Sequence, residues 1–103
     1  MKVYMVKFDW RFSDDEDVDI QLFDTYKKAY DRFLQIIKDE KNPDNSWVGS
    51  DVFDNDGNIN EGYEVDEHIE SDGTQEYVCW WEVTDKYDWD KREYLTLLIM
   101  EVK

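Results

Sequence analysis

An α+β fold, with an antiparallel sheet of about five to six strands in the order β-β-α-β-β-β and one helix packed on one face, is what this sequence predicts. Three observations predict it. The amino terminus alternates apolar and polar residues, a single helical stripe follows near residues 25–40, and the second half consists of short alternating segments separated by turn residues. With 103 residues, the chain has room for one domain spanning 1–103, since about 100–150 residues is the commonest domain size.

Residues 2–12 place Tyr4, Val6, Phe8, Trp10 and Phe12 on one side and Lys7, Asp9 and Arg11 on the other, the period of a half-buried strand. Residues 13–17 (Ser13-Asp14-Asp15-Glu16-Asp17) interrupt it and read as a hairpin loop, after which 18–23 alternate again. Asp24 stands where an N-cap belongs, ahead of a helix over about Thr25 to Glu40 with Tyr26, Ala29, Tyr30, Phe33, Leu34 and Ile37 as its apolar stripe. Lys41-Asn42-Pro43-Asp44-Asn45 ends that helix. Strands are expected at Trp47–Phe53, Ile59–Ile69, Glu76–Thr84 and Glu93–Val102. Asp-Gly turns stand at Asn55–Asn58 and Ser71–Thr74, and a longer polar link runs from Asp85 to Lys91.

Charge points to the chemistry of a partner. Twenty-seven acids against twelve bases give a formal charge of −15, where a small domain ordinarily carries a magnitude of about 2–8. Disordered chains are poor in aromatics, whereas 17% of this chain is Phe, Trp or Tyr, so the acids decorate a folded core. A positively charged partner surface gives the surplus a use, because excess like charge otherwise opposes compaction.

Few motifs of enzyme chemistry are present. There is no Gly-x-Ser-x-Gly elbow, phosphate-cradling glycine loop or His-Glu-x-x-His helix, and no catalytic residue, cofactor or metal site is assigned. His68, the only histidine, falls on the polar side of a strand and reads as solvated. Asp54-Asn55-Asp56-Gly57-Asn58-Ile59 matches the middle of a calcium-loop pattern, but Val52 and Tyr63 occupy the first and twelfth ligand positions, so a hairpin turn accounts for it better. The lone Cys79 lies in an apolar run and fits a reducing compartment. No h-region or bilayer-length apolar run is found, so the expectation is a cytoplasmic protein without a membrane partner.

Two acidic groups and the edge aromatics form the expected partner-binding set. The first is the loop with Asp14, Asp15, Glu16, Asp17 and Asp19, five acids in six residues. The second is the alternating row Glu64, Asp66, His68 and Glu70, an anionic ladder interrupted by the histidine, whose side chains repeat about 6.7 Å apart, a spacing that resembles that of successive phosphates. Adjacent Trp80 and Trp81 must point to opposite faces of a strand, and Trp89 lies at an element edge, where protein interfaces favour aromatic anchors.

The acidic hairpin Asp14-Asp15-Glu16-Asp17, the ladder Glu64-x-Asp66 and the small size make the chain resemble the small acidic inhibitors of phages and mobile elements, including anti-CRISPR and anti-restriction DNA mimics. The likeness is one of composition and size, not of a shared motif. It implies a non-enzymatic protein that binds the cationic nucleic-acid-binding surface of a host defence nuclease, with no direct binding of nucleic acid. Two alternatives share the composition: an immunity protein neutralising a nuclease toxin, and an acidic interaction module whose charge serves solubility.

Overall fold

Apolar content sets the strand order. The computed structural model describes residues 1–69, 77–87 and 91–102. Its strands are β1 (Lys2–Phe12), β2 (Asp15–Phe23), β3 (Tyr63–His68), β4 (Tyr77–Asp85) and β5 (Lys91–Glu101), in one antiparallel sheet ordered β2-β1-β5-β4-β3. β5, with the run Leu95-Thr96-Leu97-Leu98-Ile99, takes the centre. The two edges fall to β2 and β3, the strands richest in acids. The expected α+β class is therefore correct.

The helix α1 (Tyr26–Lys41) lies over β1, β2 and β5. It begins one residue later than expected: Thr25 is the N-cap, its Oγ1 accepting from the Lys28 amide at 3.3 Å, while Asp24 pairs with the Lys28 ammonium at 2.9 Å. Its buried residues are Ala29, Phe33, Ile36 and Ile37. Leu34, expected in the stripe, is exposed. At about 100° per residue, Ile36 sits roughly 60° from Phe33 whereas Leu34 sits roughly 100° away, at the flank. Phe33, Trp81, Leu95, Leu97 and Val6 are the largest side chains fully enclosed in the resulting core.

Three expected boundaries change. The strand expected at Ile59–Ile69 covers only Tyr63–His68. The first hairpin loop is only Ser13-Asp14, because Phe12 pairs with Asp15, and Asp15, Glu16 and Asp17 belong to β2. Ser13 alone of the two loop residues has positive φ (55°), the pattern of a type II′ turn whose twist suits a hairpin. The segment expected as a strand at Trp47–Phe53 is instead a π-type helical turn, Val48–Val52, with only Phe53 bridging to Ile59. Gly49 explains the packing: a Cβ there would stand 2.4 Å from the Asn42 carbonyl carbon, so only glycine lets this turn lie against the end of α1. The Asp54–Asn58 turn closes as expected, with Gly57 at φ 83°. The expected turn at 71–74 lies outside the described residues.

Candidate partner-binding surfaces

β2 carries the first acidic group, and strand geometry turns it from a loop cluster into a row. Alternation along β2 puts Asp15, Asp17 and Asp19 on the helix side of the sheet, where α1 does not cover them, at intervals of about 6.7 Å. Their cross-strand neighbours are Phe12, Trp10 and Phe8 respectively. A row of carboxylates thus runs beside a row of rings, an arrangement in which an incoming guanidinium or ammonium can meet both. Trp47 lies at the end of this row, its ring tilted against those of Phe12 and Tyr63 with centroids 6.2 Å and 6.4 Å away. Asp14 sits at the turn, and Glu16 points to the opposite face, where it is bound by Arg11 at 2.7 Å.

The second group lies elsewhere. Glu64 and Asp66 project from β3 on the face without the helix, with Glu82 of β4 directly beside Asp66 and His68 stacked on Trp80 at 4.7 Å. Trp80 is half-buried there while its neighbour Trp81 is fully enclosed under the helix side, so the two point oppositely as expected. β2 and β3 are the two edges of the sheet, four inter-strand spacings or roughly 19 Å apart. The two carboxylate rows also face opposite ways. The structure therefore does not bring the two expected clusters into one site. Glu70 and Trp89 lie outside the described residues.

Among the described residues neither row joins an ion pair, and the Lys91 ammonium lies over the Phe12 ring, 5.2 Å from its centroid, at the Asp15 end of the β2 row. Residues 24–41 hold five of the twelve cationic side chains against four acids, so the whole acidic excess lies outside the helix. Two of the four ion pairs among the described residues are the helical Lys27–Asp31 and Lys28–Asp24, and the others are Arg11–Glu16 and the amino terminus with Glu101. Asp14, Asp15, Asp17, Asp19, Glu64 and Asp66 join no ion pair among the described residues. On the helix-free face, Arg11 and Arg92 are cross-strand neighbours and interrupt the negative field between the edges.

Other titratable groups serve the interior. Glu93 on β5 is 4% exposed beneath α1, with the Glu40 carboxyl of the helix next to it. Burial first, then the charge and hydrogen bond of Glu40, push its pKa up to about 9. The neutral form therefore prevails in the folded state at pH 7. Burial likewise raises the Cys79 thiol, which leaves it a poor nucleophile. Asp54 spends its Oδ1 on the amides of Asp56 and Asn58, both at 2.9 Å, and so works as a turn cap. No group of three or more potential metal ligands occurs among the described residues.

Three features escaped the sequence: the β2 row, the contribution of Glu82, and the buried Glu93. Period-two reading extended back from Val18 to Asp15 recovers the first, because odd positions 15, 17 and 19 are then all aspartate. Comparisons with protein families, with curated proteins and with solved structures find no match to this chain. No helix among the described residues is long and apolar enough to cross a membrane.

Proposed function

We propose that this chain is a non-enzymatic acidic inhibitor that occupies the cationic nucleic-acid-binding surface of a partner such as a CRISPR effector or restriction nuclease. The observation that carries this reading is the Asp15-Asp17-Asp19 row: three carboxylates held in register on an edge strand, beside aromatic rings, with no ion pair among the described residues. Nucleic-acid sites draw their ligands largely through phosphate charge. A rigid row of anions competes for the same lysines and arginines without chemistry, and its field speeds encounter. A nuclease toxin presents a similar surface, which makes an immunity protein the alternative.

The test is affinity capture with the wild-type chain and with two charge-reversed variants, Asp15→Lys/Asp17→Lys/Asp19→Lys and Glu64→Lys/Asp66→Lys/Glu82→Lys. A nucleic-acid-binding protein retained by the wild type, released by duplex DNA or by salt, and lost with the first variant is the expected result. Retention that resists both DNA and high salt, or that survives in both folded variants, overturns the proposal.

A further inference from the structure

We propose that the open edge of β2 receives an extended segment of the partner, which adds to the sheet as a further strand and alternates cationic with aliphatic side chains. This deepens the reading above by naming the element the partner presents, and it rests on that reading for the partner's charge.

The backbone makes the edge available. In a hairpin with a two-residue loop, the residues flanking the loop exchange hydrogen bonds, so Asp15, Asp17, Asp19, Gln21 and Phe23 turn their amides towards β1. The amides and carbonyls of Glu16, Val18, Ile20 and Leu22 then face outwards. Val18 bears this out: its N–H donates to the carboxylate of its own neighbour Asp17, at 2.8 Å, instead of to β1. A shallow groove lined by Asp9, Glu16, Asp17 and Val18 runs beside it.

The side chains then select the occupant. On the helix-free face Val18, Ile20 and Leu22 are 46%, 53% and 62% exposed, an aliphatic row on a chain that is otherwise strongly charged. Leu22 continues inwards to Met5 and Leu98, which extend the apolar strip across three strands. An added strand presents alternate side chains to the two faces. It meets Asp15, Asp17 and Asp19 on one side and the aliphatic row on the other, so the matching segment alternates Lys or Arg with Val, Ile or Leu. A second copy of this chain fits poorly, because two-fold pairing of β2 sets both aspartate rows on one face and joins two molecules of charge −15. Acids on an edge ordinarily guard it against strand addition. Here they exclude neutral and acidic strands while leaving a cationic one favoured.

The probes are two synthetic peptides, Lys-Val-Lys-Ile-Lys-Val-Lys and Lys-Lys-Lys-Lys-Val-Ile-Val, equal in composition and charge. Binding is followed by NMR titration, and the amides by hydrogen exchange. The alternating peptide is expected to bind the more tightly and to protect the amides of Glu16, Val18, Ile20 and Leu22. Ile20→Pro removes an outward donor without touching the β1 ladder, and it should weaken that peptide about tenfold or more. Should this variant fail to fold, Val18→Thr/Ile20→Thr/Leu22→Thr keeps strand propensity and removes the aliphatic match, with the same loss expected. Equal binding of both peptides, or undiminished binding of the alternating one to a folded variant, overturns strand addition. Capture through charge, tested separately above, survives that result.

Discussion

Replacing Glu93 with glutamine should stabilise the protein, and by an amount that grows with pH. The carboxyl is 4% exposed and its Oε2 has no hydrogen-bond partner among the described residues. Its pKa moves from an ordinary value of 4.5 to about 9. Between those two pH values the folded chain holds a proton that the unfolded chain has released, so the folded state loses stability as pH rises, by about 1.4 kcal/mol per pH unit. Over the interval from 4.5 to 7 the loss reaches about 3 kcal/mol, a large part of the roughly 5–15 kcal/mol that holds a domain of this size. Glutamine has nearly the same shape and stays neutral at every pH. The Glu93→Gln variant should therefore exceed the wild type by about 3 kcal/mol at pH 7, by less than about 1 kcal/mol at pH 5 and by about 5 kcal/mol at pH 8. Urea unfolding at those pH values, extrapolated to water, measures the difference. A gap that stays constant across the range would refute the assignment of a buried, protonated Glu93.

Three further substitutions test the scaffold by thermal or urea unfolding. Gly49→Ala drives a methyl into the backbone of Lys41 and Asn42, and it should lower stability by about 1–3 kcal/mol; a neutral result contradicts the packing of the π-type turn on α1. Phe33→Ala empties a fully enclosed site under the helix and should remove about 3–5 kcal/mol, whereas a loss below about 1 kcal/mol places Phe33 outside the core. Ser13→Gly should raise stability by about 0.5 kcal/mol, since the positive φ strains a residue bearing a Cβ more than glycine's added unfolded-state freedom offsets; a destabilised variant argues against the type II′ turn.

Much of the fold was legible because its strands obey period two and its helix has one apolar stripe. Residues 2–12 and β1 coincide, and Trp80 and Trp81 divide between the faces as alternation requires. The misreadings have physical causes. The acids at 15–17 read as a loop by composition, yet an edge strand that extends beyond the cover of α1 is solvated on both faces and tolerates aspartate at alternate positions. Trp47–Phe53 has strand-like composition, but the close approach of Gly49 to the helix end decides in favour of a helical turn, a tertiary contact that local propensity does not contain. Glu93 was invisible for a similar reason. Glu93 is buried with Glu40 beside it, and Glu40 falls in line with Phe33 at the 3.6-residue period, a pairing of distant residues that only the tertiary fold creates.

Separation of the two carboxylate rows constrains any target more than the total charge does. A flat cationic surface can engage Asp15, Asp17 and Asp19 or it can engage Glu64, Asp66 and Glu82, because the rows face opposite ways from edges roughly 19 Å apart. Only a cleft that closes around the sheet can use both. The β2 row has the aromatic neighbours Phe8, Trp10 and Phe12, whereas the β3 row shares its face with Arg11 and Arg92, which weaken its field. Binding to a flat surface should consequently depend on the β2 row alone, and the salt dependence of affinity should fall when that row is reversed but hold when Glu64, Asp66 and Glu82 are reversed. Equal losses from the two reversals would instead require a target that wraps both edges.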